Sequence, residues 1–297
     1  MNRDDPATLR LFVEHVTHID CGVLDTDDGL RGATWLVDAT LSGRRDADGM
    51  LFDFGPAKRL LKAEIDALLD HRLLVPRAAP GVTLTDDTVE LTTHTGDRYR
   101  YTGPANAMNL LDMRVIDPAA LARWLESRIA PKMPANVESL TLKLREEAIV
   151  GPVYDYTHGL SAHDGHCQRL AHGHRCRLAI ALDGVDRPDI AHAWAADWQG
   201  IFIGSREHLS HTDEPGQYRF AYRAEQGAFA LDIAGERCVL LDGPATVENI
   251  ADHIAARLAA RYPAHAVCVR AYEGVGKGAI ATRGQTIERP EPASSPS

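Results

Sequence analysis

The sequence predicts an α+β protein built from one unit used twice. Three observations carry that expectation. Strand-like alternation and helix-like periodicity follow one another in the same order in both halves of the 297 residues. The helical stretches DPAALARWLESRI and TVENIADHIAARL lie apart by the same offset, within a couple of residues, as the strands LTLKLRE and VCVRAYE. The second half also crowds five histidines and two cysteines into YTHGLSAHDGHCQRLAHGHRC, a cluster that the first half lacks.

Taken in order, residues 8–20 alternate as a strand, and 32–43 read as a second strand joined to it through the acidic turn DTDDGL. Pro56 suits a first helical turn, and Leu60, Leu61, Ile65, Leu68 and Leu69 recur at helical spacing, so a helix should end near Asp70 and His71. Residues 81–103 alternate around an internal TGD turn, which predicts a small added hairpin. A second amphipathic helix over DPAALARWLESRIAP and a strand over VESLTLKLREEAIV complete the unit.

The order restarts near residue 152 with strands VYDYTHGL and RCRLAIALDG, a hairpin YRFAYRAEQGAFALDIAGERCVLL, a helix TVENIADHIAARLAARY and a strand HAVCVRAYEGVG. Where the first half has its long helix, the second has DWQGIFIGSREHLSH and no clear helical pattern. The expected units are 1–150 and 151–281, each with an added β-hairpin, followed by a Pro/Ser-rich disordered tail over 282–297.

Composition narrows the function. The net charge of −10 argues against a sequence-independent grip on nucleic acid phosphates, which needs a basic face, and so favours a small-molecule partner. No apolar run long enough for a membrane span and no secretion signal are evident, and five sparse cysteines do not form a disulfide framework. A cytoplasmic protein with reduced thiols and no membrane association is expected.

The histidine cluster carries the chemistry. Residues two apart on a strand share a face, so His172 and His174 aim at one point, with His163, placed at the end of the preceding strand, as the natural third ligand. Three imidazoles leave an open position, the arrangement of a catalytic zinc. The alternative is that several of these histidines are solvated loop residues. His158 and His166 fall outside this geometry and are expected at the surface or beside the ligands. Cys167, in the facing loop, is either a thiol activated by a nearby cation or an inert buried cysteine.

SAHDGHCQRLAHGH resembles the signature of the 6-pyruvoyl- and 6-carboxy-tetrahydropterin synthase family, in which a histidine, a cysteine and His-Gly-His supply three zinc ligands and a catalytic thiol. The resemblance implies the family's tunnelling fold, an antiparallel sheet with helices on one face, here in tandem, with subunits assembled as a closed barrel and hence a homo-oligomer. It implies Zn²⁺ on His163, His172 and His174 and proton transfer by Cys167. The segment RAYEGVG nominates Glu273 as the carboxylate that anchors the pterin ring. TVEN nominates Thr246, which otherwise is simply a helix N-cap. LLDHRLL nominates Asp70 and His71 as a proton relay with the cysteine, or else a pair that merely ends a helix.

The departures are complementary. The first copy has LRGATW in place of His-Gly-His, and the second lacks the Asp-His pair. Since family sites lie between subunits, one composite site from the two unlike units is expected, whether within a chain or between chains. The implied reaction acts on 7,8-dihydroneopterin triphosphate as a lyase, giving 6-pyruvoyl-tetrahydropterin or 6-carboxy-tetrahydropterin on the route to deazapurines such as queuosine. The alternatives are a non-catalytic zinc and pterin-binding descendant, or an enzyme of the same fold on another pterin or purine.

Overall fold

A computed structural model describes residues 9–284, apart from residue 213. The first unit opens with a long hairpin, β1 (Leu9–Asp25) and β2 (Gly29–Gly43). Its turn is held by Asp25, whose Oδ1 accepts the backbone N–H groups of Asp27 and Asp28, and by Gly29 at φ +79°. Helix α1 (Phe54–Leu68) starts at Asp53, whose carboxylate caps Gly55 N, and buries Ala57, Leu61 and Ile65.

Four short strands, β3 (Leu73–Pro76), β4 (Val82–Thr85), β5 (Thr88–Thr92) and β6 (Arg98–Thr102), precede β7 (Met108–Leu111). Helix α2 (Pro118–Ile129), capped by Asp117, and β8 (Val137–Arg145) close the unit.

The second unit repeats this order with β9 (Val153–His158), β10 (His172–Leu182), β11 (Val185–Asp186), α3 (Pro188–Asp197), β12 (Ile201–Ser205) and β13 (Leu209–Ser210). It continues through β14 (Gln217–Ala224), β15 (Gly227–Ala234), β16 (Cys238–Leu241), α4 (Val247–Arg261), β17 (Val267–Tyr272) and β18 (Gly278–Arg283).

Two sheets follow the units: β7-β3-β1-β2-β8 and β16-β12-β9-β10-β17-β18, with β11 on β10. Their hairpins are antiparallel, but β3 joins β1, and β12 joins β9, in parallel, because a helix crossover lies between the partners in each case. The helix that the sequence pattern did not reveal in the second unit is α3. It buries Ile190, Ala191 and Ala195, and two small alanines make its apolar stripe faint. Thr282 and Arg283, expected in the tail, end β18; the rest of the expected tail from 285 lies outside the described residues. Among the described residues no helix is long and apolar enough to cross a membrane.

The added hairpins do not stand apart. They pair through β6 and β15, with Tyr101 opposite Leu231 and Arg100 opposite Asp232, into one six-stranded sheet, β13-β14-β15-β6-β5-β4. Tyr99, Tyr101, Phe220, Phe229 and Leu231 form a third core beneath it, together with Leu170 and Ala171. The two long hairpins also cross at Gly32 and Gly173, where a Cβ on either residue would strike the Tyr156 carbonyl oxygen. Asp155 Oδ2 accepts Gly32 N at 2.9 Å, and Arg175 N donates to Thr34 Oγ1 at 3.0 Å, so the crossing is hydrogen-bonded from both sides.

Candidate active site

At that crossing β9 ends on His158 and β10 begins on His172, directly opposite it in register, with His174 two residues on along the same face. All three rings are buried, at 0%, 1% and 1% exposure. The Nδ1 of His158 bonds the Ala245 carbonyl at 2.8 Å and that of His172 bonds the Arg169 carbonyl at 2.7 Å, so each ring turns its Nε2 toward the others. His174 Nδ1 faces Asp20 Oδ1 at 3.3 Å, and its Nε2 lies 3.2 Å from that of His158.

One ring nitrogen from each of the three histidines lies within 4.8 Å of the others. Burial, then the neighbouring His174, pushes His158 down to about 3, and burial with the adjacent imidazoles holds His172 well below the ordinary range. These are neutral rings. His172 Nε2 is buried with no hydrogen-bond partner, which is costly unless a cation accepts its lone pair. Three imidazoles, oriented by two carbonyls and a carboxylate, are a donor set that fits zinc.

The structure brings His158, rather than the expected His163, together with His172 and His174. Strand β9 stops five residues before His163, which sits exposed in the following loop with its Nδ1 accepting Gly165 N at 2.9 Å. His158, expected at the surface or beside the ligands, is one of the most buried polar residues. His166, by contrast, is exposed as expected.

Asp70 and His71 come from the other unit. They follow α1, and His71 N donates to Asp20 O at 2.7 Å while Asp70 Oδ1 accepts Asp20 N at 2.9 Å. His71 adopts φ +54°, a left-handed conformation that a residue with a Cβ occupies at a cost. In the second unit the same backbone bond runs from Gly200 N to Asp155 O, with Gly200 at φ +67°. Gln199 and Gly200 thus stand where the first unit has Asp70 and His71.

The strained turn aims His71 across the junction, its ring centroid 4.9 Å from that of His172 and 6.3 Å from that of His174. Nδ1 bonds Asp70 Oδ2 at 2.7 Å. One ligand atom each of His71, Cys167 and His172 lie within 4.8 Å of one another. Burial disfavours the imidazolium, but hydrogen bonds to Asp70 and to Cys167, reinforced by their charge, outweigh it and push His71 up to about 10. Cys167 is half-buried, open enough to meet a ligand. His71 of the first unit thus meets Cys167 and His172 of the second within one chain.

Glu273 stands at the edge of the cluster, Oε1 4.0 Å from His174 Nε2 and Oε2 3.6 Å from Lys277 Nζ. Burial opposes its ionisation, but His174 and Lys277 hold it below the usual glutamate range. Thr246 caps α4, its hydroxyl accepting Asn249 N, and adjoins Ala245, whose carbonyl holds His158.

Asp20 is the residue that sequence reasoning missed. It is 1% exposed and accepts Thr34 Oγ1 at 2.6 Å; burial opposes its charge, yet His174 and Thr34 hold it far below the ordinary aspartate range. Its only sequence signal is an acid inside an apolar strand. By register, with Gly22 opposite Gly32 as Thr157 is opposite Gly173, the first unit's counterparts of the three histidines are Val23, Arg31 and Ala33, which offer no imidazole.

A family model described as 6-pyruvoyl tetrahydropterin synthase matches this chain twice, over residues 15–150 and 149–283. A Pyrococcus horikoshii protein named as a 6-carboxy-5,6,7,8-tetrahydropterin synthase is 24% identical over 118 residues, covering 40% of this chain and 69% of its own length. Solved 6-pyruvoyl tetrahydropterin synthases of Plasmodium falciparum and Plasmodium vivax are 14% and 15% identical. They cover 46% and 47% of this chain and 90% and 98% of their own, each with a TM-score of 0.38.

Proposed function

Since the chain belongs to the 6-pyruvoyl tetrahydropterin synthase family in both of its halves, we propose that it is a zinc-dependent lyase acting on 7,8-dihydroneopterin triphosphate at one composite site per chain. The observation that carries this reading is the approach of His71, from one unit, to within 4.9 Å of His172, from the other. Cys167 lies against both. The product is 6-carboxy-tetrahydropterin or 6-pyruvoyl-tetrahydropterin, and the name of the Pyrococcus horikoshii relative favours the first.

His158, His172 and His174 would hold the ion. When bound, it would act as a Lewis acid that lowers the pKa of the substrate's side-chain hydroxyls. Glu273 accepts two hydrogen bonds from the amino-pyrimidine edge of the pterin, a planar pairing that selects that ring. Thr246, next to the Ala245 carbonyl that holds His158, would approach the same ring. Cys167, paired with the His71 imidazolium, takes a proton from the substrate as a thiolate, and His71 returns one as triphosphate leaves. Asp70 fixes the tautomer and charge of His71.

The outer edges of β8 and β18 end their sheets, which supports a homo-oligomer in which further chains continue the strands. Five free thiols accord with a cytoplasmic setting.

The test is to purify the protein without chelator, measure bound zinc, and follow products from 7,8-dihydroneopterin triphosphate by mass beside Cys167→Ala and His71→Ala. About one zinc per chain and turnover lost in both variants supports the reading. About two zincs per chain would overturn the single composite site.

A further inference from the structure

Cys167 sits in the loop between β9 and β10, residues 159–171, and that loop is anchored from outside. Within it, Leu160 N donates to Cys167 O at 2.9 Å and Arg169 N to His166 O at 2.9 Å. The bonds that reach it from the β14–β15 hairpin all fall on Gly165, Gln168 and Arg169. Tyr222 donates its hydroxyl to Gln168 O at 2.7 Å, and Gln226 N donates to Gln168 Oε1 at 2.6 Å. The Gln226 side chain works in both directions, accepting Arg169 Nε at 2.8 Å and donating to Gly165 O at 3.4 Å.

Gln168 and Arg169, the two residues after the cysteine, are 1% and 4% exposed. Arg169 also reaches the Asp70 carbonyl through Nη1 at 3.4 Å, and its own carbonyl holds His172 Nδ1. One buried guanidinium therefore ties together the added hairpin, the thiol loop and the turn that carries His71. A buried arginine with no carboxylate partner among the described residues is retained at a cost, which the bonds of its guanidinium to two other segments offset.

We propose that Gln226 and Tyr222 are positioning residues that act through Gln168 and Arg169 to hold Cys167 against His71. Neither touches the reacting atoms. The added hairpin is then part of the catalytic apparatus, supporting the thiol from behind as a strand-borne brace supports a loop. The proposal rests on the reading of Cys167 as the proton-transferring thiol.

The experiment uses the full chain with Gln226→Ala, Gln226→Glu, Tyr222→Phe and the Gln226→Ala/Tyr222→Phe pair. Steady-state turnover of 7,8-dihydroneopterin triphosphate is read beside amide exchange over residues 159–171 and iodoacetamide labelling of Cys167 followed by peptide mass. Gln226→Ala is expected to lower kcat about tenfold with KM changed less than about twofold, and the pair about a hundredfold, at unchanged zinc content. Exchange across the loop rises and Cys167 labels faster in both. Gln226→Glu, which keeps the acceptor for Arg169, restores most of kcat and of loop protection.

Unchanged exchange and labelling in both Gln226→Ala and Tyr222→Phe would overturn the proposal, as would a Gln226→Glu variant as impaired as Gln226→Ala. If the wild type made no product, the functional reading would fall, while exchange and labelling would still decide the positioning role. Tyr222→Phe removes a single oxygen and carries the same expectation should Gln226→Ala not fold.

Discussion

Asp20 and His174 meet across the junction of the two units, the carboxylate Oδ1 3.3 Å from Nδ1 of an imidazole that is, like it, 1% exposed. The first unit thus supplies no histidine to the trio and yet orients one of its rings. A carboxylate behind a ligating imidazole fixes its tautomer and raises its basicity. Asp20→Asn keeps the shape and removes the charge, and should weaken zinc binding about tenfold to a hundredfold, measured by competition with a chromogenic chelator.

The identity of the third ligand is open to direct test. His158→Ala should leave the purified protein without stoichiometric zinc, whereas His163→Ala should retain it, as read by elemental analysis. Retention in His158→Ala with loss in His163→Ala would reverse the assignment.

The left-handed backbone of His71 separates strain from side-chain loss. Gly and Ala both remove the ring and its bond to Asp70, but only Gly occupies φ +54° freely. His71→Gly should therefore be more stable than His71→Ala by about 1 kcal/mol in urea unfolding, with both devoid of turnover.

Asp155 makes stability depend on pH. Burial raises its pKa to about 6 from 3.8, against the opposing bond from Gly32 N. A raised folded-state pKa means that the protonated carboxyl stabilises the fold. That contribution is complete below the unfolded value and is lost as pH rises through about 6. Between about pH 5 and about pH 8 the wild type should lose about 1 kcal/mol that Asp155→Asn does not lose, measured by urea unfolding at each pH.

Much of this was legible in the sequence where the signal is local. The repeat showed because strand and helix periods recur within a few residues, and His172 and His174 showed because positions two apart share a strand face. Asp70, His71, Cys167 and Glu273 rested on resemblance to a family. The burial of His158 against His172 and His174 does not show in the sequence, because the end of β9 is set by its register with β10, a pairing across fourteen residues that periodicity does not encode. Asp20 was missed because its partner lies in the other unit. The joining of the two added hairpins went unforeseen for the same reason, since β6 and β15 are distant in sequence and each reads as an ordinary exposed hairpin.

That shared six-stranded sheet has a consequence for how the site behaves at low abundance. When a site is assembled from separate molecules, dilution dissolves it, and every partial loss must be matched by a partner of the other kind. Here the peptide chain and the β6–β15 seam hold both contributions at a fixed and high local concentration. On the proposed composite site, the unlike halves arrive together, in equal number, from one act of synthesis, so neither copy has to keep what the other already provides.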